Sequence, residues 1–295
     1  MSYDLHTHST YSDGTTSVEA NVRDALAIGL TGLGVTDHDT TAPFADAFAA
    51  ADGTGLEIVP GTEFSAELDG FSVHVLGYWI DADHAELVEE LARLRNERED
   101  RARAIVDKFV ALGVDLDFER VRALAGDAPI GRPHIAQAVV ETGAAPDLRM
   151  VFDTWLADGG PAYVEKHAVT PVRAVELLTA AGGVAVLAHP GLYGAAVEPG
   201  RGDEDRSADD GDGRALGPGL DDAVVERMAA AGLAGIEADH PDHTDGHRRR
   251  YHDLATALGL EVTAGSDYHG AGKENPLGSA TTDRAAVERL RARRG

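Results

Sequence analysis

The chain has 295 residues, with 26 Lys and Arg against 51 Asp and Glu for a formal net charge of −25, and it contains no cysteine. Without cysteine there can be no disulfide framework, no thiolate metal site and no Cys nucleophile, so any metal must be held by nitrogen and oxygen. The acidic balance repels the backbone of long duplex nucleic acid and leaves a small phosphorylated substrate as the easier partner.

The N-terminus, Met1-Ser2-Tyr3-Asp4, lacks a basic region followed by an apolar run, and no segment approaches the roughly 18 apolar residues that span a bilayer. A cytoplasmic chain with no membrane contact is expected. The first strand candidate, Tyr3 to Leu5, runs into His6-Thr7-His8, where alternation along an extended chain puts both histidines on one face. Asp13-Gly14 follows, then a helix candidate from Ser17 to Ile28 closed by Gly29. The second strand, Gly32 to Val35, ends in Asp37-His38-Asp39; the third, Leu56 to Val59, leads to Gly61-Thr62-Glu63; the fourth, Val73 to Leu76, carries His74.

From about Asp81 to Tyr163 the strand rhythm stops, and Ala85 to Leu112 has helical spacing with many charges, among them Glu86, Glu89 and Glu90. Residues 81–163 are therefore expected to be a helical insertion in a body formed by 1–80 and 164–295. Acidic residues are scattered along the whole chain, which reads as a solvated, halophile-like shell. Three further βα units follow, with helices from Pro171 to Ala181 and Asp221 to Ala231. Their strands are Val184 to Leu187 ending in His189, Gly235 to Ile236 ending in Glu237, and Leu260 to Thr263 ending in Ser266-Asp267-Tyr268-His269. The Gly- and Asp-rich stretch 197–219 is too poor in apolar residues to build a core and is expected to be a mobile acidic loop.

A lone histidine on a strand is more often a satisfied structural group than a ligand. Repetition at successive strand ends reverses that judgement, because the C-terminal rim of an α/β barrel gathers such ends into one site. The expected fold is accordingly an α/β barrel with a helical insertion. Mixed imidazole and carboxylate donors suit Mn(II) first, with Fe(II) or Zn(II) as alternatives.

These pieces, His6-Thr7-His8, Ser12-Asp13-Gly14, Asp37-His38-Asp39, Gly61-Thr62-Glu63, Val73-His74, Ala188-His189-Pro190-Gly191 and Gly265-Ser266-Asp267-Tyr268-His269, resemble in order those of the PHP (polymerase and histidinol phosphatase) family of metal-dependent phosphoesterases. The resemblance implies a distorted (β/α)7 barrel and two or three divalent ions: one on His6, His8, Glu63 and Asp267, a second on Glu63, His74 and His189, a third on Asp13, His38 and His269. Asp4, Asp37, Asp39 and Glu237 are read as supporting or turn residues. Glu63, His189 and Asp267 are expected to be catalytic, with a metal-activated water attacking phosphorus in line.

Gly131-Arg132-Pro133-His134 resembles a motif of the subgroup that removes the 3′-phosphate of nucleoside 3′,5′-bisphosphates and, in some members, trims short RNA from its 5′ end. The resemblance makes Arg132, His134 and, after the sixth strand, His243 the expected substrate contacts; the alternative for Arg132 is an ordinary helix start. Competing readings are a histidinol-phosphate phosphatase, an amidohydrolase, for which no Lys stands convincingly at a strand end, and a non-catalytic regulatory module, which would have lost ligands that are all present here.

Overall fold

The computed structural model of the chain describes residues 2–69, 71–125, 130–157, 159–165, 167–193 and 218–294. The acidic stretch expected at 197–219 lies, up to residue 217, outside the described residues. The chain divides into two compact units, Met1–Leu91 with Val169–Gly295, and Ala92–Ala168.

The first unit begins β1 (Ser2–Asp4), α1 (Val18–Ala27), β2 (Gly32–Val35), α2 (Phe44–Ala51), β3 (Glu57–Leu68), β4 (Phe71–Tyr78) and the opening turns of α3 (Ala85–Ala111). The rest of α3 belongs to the second unit with α4 (Phe118–Ala125), α5 (Arg132–Glu141) and α6 (Leu148–Met150), which runs into a π-turn at Val151–Trp155. That unit has its own core, in which Ile105 and Phe109 of α3 meet Val121, Ile135 and Val139. The first unit resumes with α7 (Pro171–Ala180), β5 (Val184–Leu187), α8 (Asp222–Ala230), β6 (Gly235–Asp239), α9 (Asp245–Leu258), β7 (Glu261–Ala264), β8 (Thr282–Asp283) and α10 (Arg284–Arg291).

The helices start and stop where local chemistry dictates. Ser17 caps α1 through the Ala20 amide, and Val18, Val22 and Ala25 form the stripe that packs on Leu33, Val35 and Ile58. Thr170, with Pro171 in the first turn, opens α7; Asp221 opens α8; Thr244 opens α9, which Gly259 closes at φ 66°. Between them run short strands buried on both faces, such as Gly32–Val35 and Val184–Leu187, as a sheet covered by helices requires. Leu5 and Leu76 inside this layer are fully buried, worth about 1.5–3 kcal/mol each.

The strand order is β7-β6-β5-β4-β3-β2-β1-β8. Neighbours are parallel except that β4 runs against β3 and β5, and β8 against β1. The two ends of the sheet approach each other: Thr282 Oγ1 of β8 accepts from the Ala264 amide of β7 and donates to the Ala264 carbonyl, both at 2.8 Å. Beyond the strands, the His8 amide donates to the Tyr268 carbonyl at 2.8 Å. The result is a nearly closed barrel with helices around it, the α/β arrangement expected from the sequence. Among the described residues eight strands stand where seven were expected, because the two residues of β8 are too few to show any alternation. Among the described residues no helix is long and apolar enough to cross a membrane.

Candidate metal centre

At the exit of β1, Thr7 points outward: its amide donates to Thr36 Oγ1 at 3.0 Å and its hydroxyl to the Gly34 carbonyl at 2.6 Å. Pinning Thr7 to β2 leaves the flanking imidazoles of His6 and His8 on the inner face. Next to them stands Glu63, 1% exposed, on the antiparallel part of β3. One of its oxygens, Oε2, lies 3.1 Å from His6 Nε2, 3.0 Å from His8 Nε2 and 3.4 Å from His38 Nε2. The other, Oε1, lies 2.8 Å from His74 Nδ1 and 3.0 Å from His189 Nε2. One carboxylate thus touches five histidines, four from beyond the ends of β1, β2 and β5 and His74 from within β4.

Asp267 faces the same space from the end of β7. Its Oδ1 is 3.5 Å from His6 Nε2, 3.3 Å from His8 Nε2 and 3.5 Å from His269 Nδ1, while Oδ2 is 3.5 Å from His240 Nε2 and bonded by Lys273 Nζ. Asp13, more exposed, places Oδ1 3.4 Å from His8 Nδ1 and 3.3 Å from His269 Nε2, and Oδ2 3.7 Å from His38 Nε2. Among the described residues, donor atoms gather into three groups, each within 4.8 Å: His6, His8, Glu63 and Asp267; His8, Asp13, His38 and His269; and His38, Glu63 and His74. His8 and His38 each serve two groups, and His189 reaches the centre through Glu63.

These residues fit divalent ions. Among the described residues the buried nitrogens His6 Nε2, His8 Nε2, His74 Nδ1 and His240 Nε2 have no hydrogen-bond partner of acceptable geometry although carboxylate oxygens lie beside them. Buried polar atoms left this way cost free energy that ligation would recover. Burial alone would raise Glu63 and Asp267, yet the imidazoles around them hold both carboxyls well below the usual range. Burial works the other way on His8, and Asp267 and Glu63 overcome it, raising the imidazole to about 9. His38, where burial prevails, falls to about 3. The cluster therefore carries ionised carboxylates ready to receive cations.

A supporting layer holds the donors in place. Both oxygens of Glu237 lie 3.1 Å from His6 Nδ1, and Oε2 also accepts from the His189 amide at 3.1 Å, so the outer nitrogen of His6 is occupied and Nε2 is turned inward. Asp37 Oδ1 accepts from the Ser9 amide at 2.8 Å and from the Ser9 and Ser12 hydroxyls at 2.9 Å, fixing the loop that carries Asp13. Asp4 accepts from the Ser266 and Gly278 amides, and Asp39 from the Ser65 amide. Asp39, His189 and Asp267 all adopt positive φ (51°, 23° and 53°), so backbone strain of about 1–3 kcal/mol each is concentrated at the rim. Gly265 permits the close approach of β7 to β1: a Cβ there would stand 2.3 Å from His6 Cβ and 2.6 Å from Glu237 Oε1.

The nine residues expected as ligands thus come together in one place. The residues expected to contact substrate are arranged otherwise. His243 Nδ1 donates to the Ala238 carbonyl at 2.8 Å and Nε2 accepts from the Gly191 amide at 3.0 Å, so both ring nitrogens serve backbone; burial lowers this imidazole to about 4. Its neighbour His240 is the one aimed at the cluster, and a position directly beyond a strand end was the signal for it. In the second unit Arg132 is exposed at the start of α5, and His134 Nδ1 accepts from the Gly131 amide at 3.1 Å as a helix cap. Lys273 was not singled out by the sequence, because one lysine in a polar loop has no pattern.

The family model for the PHP domain matches residues 4–115. The 3′,5′-nucleoside bisphosphate phosphatase of Chromobacterium violaceum is 33% identical over 92% of this chain and 88% of its own length. The 5′-3′ exoribonuclease Rnm of Escherichia coli is 36% identical over 65% of this chain, a match spanning 66% of that enzyme. Among solved structures, a candidate metal-dependent phosphoesterase from Bifidobacterium adolescentis superposes with a TM-score of 0.69 at 30% identity, covering 99% of this chain and 96% of that one.

Proposed function

Because this chain belongs to the PHP family and is a metal-dependent phosphoesterase, we propose that its substrates are nucleoside 3′,5′-bisphosphates or short oligonucleotides. The observation that carries the phosphoester chemistry is Glu63, whose two oxygens divide five imidazoles between them. The choice of substrate is supported by the near full-length similarity to the bisphosphate phosphatase.

In this reading His6, His8, Glu63 and Asp267 hold one ion, Glu63, His74 and His189 a second, and Asp13, His38 and His269 a third, with Mn(II) preferred over Fe(II) or Zn(II). Bound there, such ions would acidify a water and neutralise the phosphate oxygens. The protein supplies the geometry: Glu237 fixes the His6 tautomer and the His189 backbone, and Asp37 holds the Asp13 loop. Arg132 and His134 are proposed to grip the phosphate that is not cleaved.

The test is a panel of phosphoesters offered to the Mn(II)-reconstituted protein, with products identified. Release of phosphate from a nucleoside 3′,5′-bisphosphate, or of mononucleotides from a short RNA, is expected to exceed turnover of histidinol phosphate by at least 100-fold, roughly 2.7 kcal/mol in transition-state stabilisation. Preference for histidinol phosphate would overturn the substrate assignment.

A further inference from the structure

Lys273 follows the short turn Gly270–Gly272 in the connection between β7 and β8. That connection is tied down around the mouth of the centre. The Ala271 amide donates to Thr15 Oγ1 at 2.7 Å, Asn275 Nδ2 to Asp242 Oδ2 at 3.2 Å, and the Gly278 amide to Asp4 Oδ2 at 2.8 Å. The Lys273 ammonium bonds Asp267 Oδ2, the oxygen turned away from His6 and His8, and its side chain remains 37% exposed. Among the described residues one of its three N–H donors is used, on Asp267, which leaves two for another acceptor.

A permanent cation is an odd neighbour for a cluster that takes up divalent ions, since it repels every ion bound there. A multiply charged anion lying across the centre reverses the balance, because the ammonium then adds to the attraction of the metals. We propose that Lys273 grips a non-bridging oxygen of the phosphate bound at the metal centre, switching its hydrogen bonding from Asp267 alone to Asp267 and substrate together. This inference rests on the phosphoesterase reading and adds a substrate contact to it.

The test compares the full-length Mn(II)-loaded wild type with Lys273→Met and Lys273→Arg, and with Lys273→Gln should the Met variant fail to fold. Metal content, inorganic phosphate binding by calorimetry, and kcat and KM on a phosphoester are measured for each. Loss of one charge-assisted hydrogen bond is expected to weaken phosphate binding and raise KM by about 10- to 100-fold in the Met variant, at undiminished metal content. The Arg variant should recover to within several-fold. Unchanged phosphate affinity and KM in the Met variant would overturn the proposal while wild-type turnover leaves the phosphoesterase reading intact. Metal lost in step with activity would also overturn it, making Lys273 a support for Asp267 only. A wild type that hydrolyses no phosphoester would remove the reading beneath it and this contact together.

Discussion

At the scale of single residues, the centre depends on which atoms are left without a partner. Glu63 can bridge because its two oxygens face different imidazoles, and a neutral amide offers one poor acceptor and one donor that points a proton at a cation. Glu63→Gln is expected to cost at least about 100-fold in turnover, with lower metal content measured by elemental analysis of the folded variant. Near-normal activity and metal would contradict the shared role. His243 makes the opposite case, for its two ring nitrogens are consumed by the Gly191 amide and the Ala238 carbonyl. His243→Phe should destabilise by about 1–3 kcal/mol while kcat/KM stays within several-fold once metal is loaded. A stable variant that has lost kcat/KM would return His243 to substrate binding, as the sequence suggests. Spacing along the chain puts His240 directly beyond β6 and His243 one turn later, but it cannot tell which ring nitrogens the backbone will claim.

Elements were legible where a short apolar run broke into His, Asp or Glu, because two signals coincide there: burial that ends and chemistry that begins. That is why β1, β2, β5 and β7 stand close to where the sequence puts them. The hairpin of β3 and β4 is longer than its apolar centre, since Ser65, Glu67 and Ser72 read as loop residues yet pair across it. Helix α9 shows how an element secures the rim from behind. Tyr251, fully buried, directs its hydroxyl at the carbonyls of Pro190 and Leu220, both at 3.1 Å, and so braces the turn after His189. Burial pushes this phenol up to about 12. The folded chain therefore keeps the proton after the unfolded chain has lost it near pH 10, and the contribution is complete below pH 10 and lost as pH rises to about 12. Urea unfolding should show the wild type's advantage over Tyr251→Phe shrinking across that window by up to about 2–3 kcal/mol. Parallel pH curves for the two proteins would refute it.

For the molecule as a whole, a net charge of −25 acts against compactness, and salt shortens its reach from about 10 Å at 0.1 M to about 3 Å at 1 M. The melting midpoint should rise between those KCl concentrations; a flat or falling midpoint would contradict the reading of the surface as one suited to high salt. The barrel itself has an uneven circumference. Every neighbouring pair from β7 round to β8 is joined by a ladder, but the two ends of the sheet meet through scattered bonds, among them the Thr282 hydroxyl with Ala264, the His8 amide with the Tyr268 carbonyl, the Tyr268 amide with the His6 carbonyl at 3.4 Å and the Ser266 amide with Asp4 Oδ1 at 2.9 Å. The bonds through Tyr268 are made by His6 and His8 themselves and lie next to Asp267 in the chain, so ions held there would also clasp the open side of the cylinder. Removing them with a chelator should speed deuterium uptake first at the His8 amide, with the Val59 amide inside the β2–β3 ladder exchanging at its former rate. The same atoms that bind the ions would then decide where this barrel begins to come apart.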